Sequence, residues 1–154
     1  MPTTSYDRVT QPLSTYIQEI RSITTEATSL HREWTFKLAQ LVAALETDGI
    51  DHVLDRTGNA GLFFDLSFAR CRRRLSDHVP PIPARSYHAY WLDWLDKMIL
   101  ASRALASAAQ KRDRAMLGQC RTILVEARDV LKQLSAEADR LEVEVSRERC
   151  QHAA

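Results

Sequence analysis

The sequence predicts an all-α protein: an antiparallel up-down four-helix bundle with two long helices, the first and the last, and two shorter ones between them. Three observations lead there. Apolar residues recur at alternating steps of three and four over most of the chain, the spacing of one face of an α-helix. Only 4 glycines and 5 prolines punctuate the 154 residues, too few for the many turns of a sheet protein. The segment 80–141 reads as a helical hairpin, two apolar stripes joined by the turn Lys111-Arg112-Asp113. Such stripes must face each other or leave apolar surface in water.

The elements follow in order within one domain spanning 1–154. Thr10 is placed to cap a first helix over 10–48, with Pro12 in the first turn, where a missing N–H costs nothing. Its stripe is Leu13, Tyr16, Ile20, Ile23, Ala27, Leu30, Trp34, Leu38, Leu41 and Leu45, and Asp48-Gly49 supplies the stop. Thr57-Gly58-Asn59-Ala60-Gly61 reads as a connector. Its glycines invite comparison with a phosphate loop, but no strand precedes it and no Lys-Ser or Lys-Thr pair ends it. A second helix over 62–78 carries Phe64, Phe68, Cys71 and Leu75 on its apolar face, which Phe63 and Leu66 widen. Pro80-Pro81-Ile82-Pro83 forbids helix. The third helix, 84–111, presents Tyr87, Trp91, Trp94, Met98, Ser102 and Leu105. The fourth, 113–149, presents Met116, Cys120, Ile123, Ala127, Val130 and Leu134. Asp113 is its N-cap, able to accept from the N–H of Ala115 or Met116.

Unequal helix lengths carry an expectation about association. If the second and third helices are short, the start of the first and the end of the fourth project beyond them as a two-helix stalk. Its apolar residues Leu13, Ile17, Ile20, Leu141 and Val145 would then need a second copy of the chain, which favours a homodimer or another protein partner.

Net charge is +1, yet it is segregated: residues 1–60 are acidic, 61–121 basic and the remainder acidic again. Helices of one bundle that pair with each other account for that order, so nucleic acid is not the expected partner. No run approaches the roughly 20 apolar residues of a membrane span. The sequence also lacks a basic start followed by an apolar run, and its three cysteines (Cys71, Cys120, Cys150) form neither a disulfide framework nor a zinc pattern. The cytoplasm is the expected compartment. No Glu-x-x-His pair and no Ser/His/Asp or Cys/His arrangement can be assembled, so neither a metal, a cofactor nor an enzymatic activity is expected.

Two constellations remain as candidate sites. Tyr87, His88, Trp91 and Trp94 concentrate aromatic and imidazole groups at the start of the third helix, either as a small-molecule pocket or as an aromatic core layer. Arg70, Arg73 and Arg74 share one side of the second helix, as an anion-binding stripe or as a solvated face paired with acidic neighbours. The expected function is accordingly protein–protein contact, with self-association first. The alternative is a module that binds an anionic ligand, nucleic acid or membrane surface through Arg70–Arg74.

From Leu75 to Leu141, the Pro80-Pro81 break, His88 shortly inside the next helix, a helix rich in small residues, a basic turn ending in Asp113 and an Ala/Leu-rich return helix resemble a group of uncharacterised bacterial helical-bundle proteins. What the resemblance implies is a fold, not an activity. Members of that group are often exported or lipid-anchored; this sequence shows no signal segment.

Overall fold

The computed structural model describes residues 11–47 and 50–154. Four helices pack side by side in up-down order: α1 (Leu13–Thr47), α2 (Ile50–Ser76), α3 (Arg85–Lys111) and α4 (Arg114–Ala153). A single 3₁₀ turn, Ile82–Ala84, precedes α3. The Thr10 cap and the Asp48-Gly49 stop lie outside the described residues.

The stripes read from the sequence form the core. Leu13, Tyr16, Ile20, Ile23, Ala27, Leu30, Trp34 and Leu41 of α1 are all buried. They meet Phe64, Phe68, Cys71 and Leu75 of α2, Trp94, Met98 and Leu105 of α3, and Cys120, Ala127, Val130 and Leu134 of α4. Asp113 caps α4 as expected, its carboxylate accepting from the Ala115 N–H at 2.9 Å. Arg112, just before it, closes α3 in the left-handed region at φ 50°, donating its N–H to Ala108 and Ala109. Its guanidinium reaches across to Asp51 and Asp55 at the start of α2.

Two expectations are corrected. The second helix begins at Ile50, not 62, and runs straight through Thr57–Gly61. Val53, Leu54, Thr57, Ala60 and Phe64 continue the helical period across the glycines, and all five are buried. The Thr57 hydroxyl is satisfied inside the helix by the Val53 carbonyl at 2.6 Å. The glycines are there for packing: a Cβ on Gly61 would stand 2.7 Å from both the Ala106 nitrogen and the Ser102 oxygen of α3. Close approach of α2 to α3 therefore outweighs the propensity cost of about 1 kcal/mol per glycine.

The second correction concerns the stalk. With α2 and α3 both 27 residues long, and with the Pro81–Ala84 segment buried at Pro81 and Ala84, the start of α1 is covered from within the chain. Tyr16 is fully buried and its hydroxyl lies 2.6 Å from His88 Nδ1. Arg140 of α4 donates to the Pro83 carbonyl at 2.6 Å and holds the turn against the bundle. Leu13, Ile20 and Leu141, at 4%, 1% and 3% exposure, are core residues of their own chain.

Candidate functional site

Tyr87, Trp91 and Trp94 come together as an aromatic layer, whereas His88 turns to Tyr16 of α1, ring centroids 6.1 Å apart. Trp91 and Trp94 meet edge to face at 5.6 Å, Tyr87 meets Trp91 at 6.3 Å, and Phe68 and His31 close on Trp94 at 5.8 and 5.4 Å. His88, Trp91 and Trp94 are buried, so the layer is part of the core. The indole N–H groups of Trp91 and Trp94 are buried with no hydrogen-bond acceptor among the described residues. Burial first, and the charge of His78 second, pull the His88 pKa below 6.5 and keep the imidazole neutral.

Arg70, Arg73 and Arg74 do share a side of α2, but Glu26 of α1 engages two of them. Its carboxylate pairs with Arg70 through one oxygen and with Arg74 through the other. Burial alone would raise the Glu26 pKa; the two guanidiniums hold it below the usual carboxylate value. Arg72 turns to α3 and meets Asp96 at 2.8 Å. Only Arg73 of the three is left facing solvent without an ion pair among the described residues.

Of the residues expected to drive self-association, Ile17 and Val145 are half-buried and stand, with Leu141, along a groove between α1 and α4. These two helices stand further apart than the other neighbouring pairs. Three cavities follow their seam, of about 480, 240 and 390 Å³. The last two share Leu38 and Leu124. The 390 Å³ cavity, at the α1–α2 turn end, is walled by aliphatic side chains from all four helices. Cys120 lines it with a thiol that burial pushes up to about 11, hence uncharged. Arg121, an exposed residue, lines it as well.

One feature of α2 runs against the sequence reading. Phe63 and Leu66 do not widen the core face; they are 54% and 72% exposed, beside Leu62 at 58%. Asp55, Asn59, Leu62, Leu66, Ala69 and Arg73 recur at steps of four and three on the face opposite Phe64, Phe68 and Cys71. All are exposed except the half-buried Ala69. The stripe is continuous because α2 runs unbroken through Thr57–Gly61.

Among the described residues no group of His, Cys, Asp and Glu could hold a metal ion, and no helix is long and apolar enough to cross a membrane. No family model, no curated protein and no solved structure matches the chain.

Proposed function

We propose that the protein works through protein–protein contact, associating with a second copy of itself along the outer face of α2. The observation that carries this reading is the order of residues on that face. In an antiparallel α2–α2 pair centred between Leu62 and Leu66, Leu62 of one copy meets Leu66 of the other, Asn59 meets Ala69, and Asp55 meets Arg73. Each layer is therefore compatible with its own two-fold image, apolar at the centre and oppositely charged at both ends. Arg73 has no partner within its chain among the described residues. Asp55 is shared with Arg112 at 3.6 Å, yet its side chain remains 76% exposed. Exposed leucines in a continuous helical stripe are what a partner would cover.

A single helix pair lies at the small end of specific interfaces, so the dimer is expected to dissociate in the micromolar range. Sedimentation equilibrium tests this. Leu62→Glu or Leu66→Glu should yield monomers, Asp55→Arg should weaken the dimer, and Asp55→Arg combined with Arg73→Asp should restore it. A wild-type chain that stays monomeric at several hundred micromolar, or a dimer indifferent to these changes, removes the reading.

The anion-binding alternative draws less support, because Glu26 already engages Arg70 and Arg74.

A further inference from the structure

We infer that the cavity at the α1–α2 turn end of the α1/α4 seam is a binding site for a single alkyl carboxylate, its chain inside and its carboxylate on Arg121. The cavity's volume of about 390 Å³ lies within the range of small-molecule sites, roughly 300–1,000 Å³. Its walls name the class of guest. Leu41, Leu54, Leu105 and Leu117 represent a lining that is otherwise aliphatic apart from Thr57, Cys120 and Arg121. The Thr57 hydroxyl is taken up by the Val53 carbonyl, and the Cys120 thiol is neutral. Among the described residues nothing inside offers a free polar partner, so water gains little there, and apolar cavities of this kind hold apolar guests.

Among the described residues no aromatic side chain lines this cavity, although the neighbouring 240 Å³ cavity along the same seam is lined by Trp34 and Trp94. A flexible saturated chain suits leucine and valine walls, whereas a planar ring would find nothing to stack on. Arg121 supplies the polar end. It is exposed, it lines the cavity, and it forms no ion pair or hydrogen bond among the described residues. An exposed guanidinium with no partner among the described residues, on a side chain that lines a hydrocarbon pocket, is complementary to a carboxylate, which it can bind through two parallel N–H donors. The site is independent of the outer face of α2, and neither reading needs the other.

Isothermal titration with sodium octanoate, decanoate and dodecanoate, each below its micelle concentration, tests the site, with 1-dodecanol as the uncharged comparison. Affinity should rise about tenfold for each added pair of methylenes until the cavity is full. Arg121→Gln should weaken dodecanoate about tenfold or more and leave dodecanol unchanged. Leu117→Trp should weaken binding of both by narrowing the cavity. Far-ultraviolet dichroism of the two variants checks that the helices persist; Arg121→Gln alters an exposed side chain, so its result stands whether or not Leu117→Trp folds. Absence of dodecanoate binding to the wild type overturns the inference. So does dodecanoate binding that Arg121→Gln leaves intact, or an equal loss of dodecanol in that variant.

Discussion

The hydroxyl of Tyr16 on α1 and Nδ1 of His88 on α3 lie 2.6 Å apart in the core, joining two helices that are diagonal across the bundle. Trp34 and Ser102 repeat the device further along, with the indole N–H donating to the Ser102 hydroxyl at 3.1 Å. Burial raises the Tyr16 pKa and lowers that of His88, so both groups stay neutral around pH 7. Tyr16→Phe strips His88 of this partner in a buried setting and should cost about 1–3 kcal/mol. Because the folded-state pKa of His88 is depressed below 6.5, the unfolded chain binds its proton first as pH falls. The stabilisation is complete above about pH 6.5 and is lost progressively below it. Burial lowers the His31 pKa as well, in the same direction. Thermal melts from pH 8 to pH 5.5 should show a falling midpoint, with a shallower fall in His88→Gln. A midpoint constant across that interval would contradict the neutral pair.

The glycines of α2 and α4 make a graded series. Gly61→Ala must displace α3 backbone, since its Cβ would sit 2.7 Å from two backbone atoms, and should destabilise by about 1–3 kcal/mol. Gly58→Ala meets only the Ala109 Cβ at 3.2 Å, so crowding and the gain in helix propensity should nearly cancel. Gly118→Ala points into open space and should stabilise by about 0.5–1 kcal/mol. Chemical denaturation ranks the three. If Gly61→Ala were the most stable, the close packing of α2 on α3 would be wrong.

Those same glycines mark where the sequence was legible and where it was not. Periodicity located the core faces of α1, α3 and α4, because each is set within one helix and needs no partner to be read. Asp113 was legible for the same reason: a cap acts two residues away. Gly58 and Gly61 have two physical uses, a turn or a close approach, and the choice depends on Ser102 and Ala106, which are distant in sequence. Taking the turn shortened the second helix and created the stalk. It also hides the outward stripe from Asp55 to Arg73; Phe63 and Leu66 stay outside the core for a separate reason, since a helix places them about 100° and 160° from Phe64. The seam between α1 and α4 had no local signal at all, since helix separation is set by all four elements together.

Glu26 should decide how the arginines of α2 behave. It faces Arg70 and Arg74, whose side chains are 63% and 41% exposed, so the cluster contributes little to stability, on the order of 1 kcal/mol or less. Glu26→Gln should therefore leave the fold intact while releasing a basic stripe. Retention on heparin at low salt should increase in this variant and fall steeply as salt rises, and adding Arg70→Gln and Arg74→Gln should reverse the increase. Strong, salt-sensitive retention of the wild type would instead mean that Glu26 does not quench the stripe.

The N-terminus of α1 is capped from the other end of the chain. Its first turn holds no acidic residue. The Glu148 carboxylate of α4 accepts from the Leu13 N–H at 3.0 Å, the Ser14 N–H at 3.4 Å and the Ser14 hydroxyl at 2.7 Å. Unpaired N–H groups at a helix start favour an anion, and here α4 delivers it across the antiparallel contact. The Ser14 hydroxyl first, and after it the two backbone N–H groups and His152, pull the Glu148 pKa below 4.5 against the opposing effect of burial. A depressed carboxylate stabilises above its unfolded value and loses that contribution as pH drops through the folded one. Glu148→Ala should cost about 1 kcal/mol, as lost helix caps do. The loss should be local: amide hydrogen exchange should speed up at Leu13 and Ser14, where the N–H groups lose their acceptor, while amides beside Trp94 and Met98 in the middle of α3 keep their protection. Ser14→Ala removes one of the three donors and should give a smaller change in the same amides. Faster exchange spread evenly over all four helices would mean that Glu148 supports the whole bundle and not the first turn of α1.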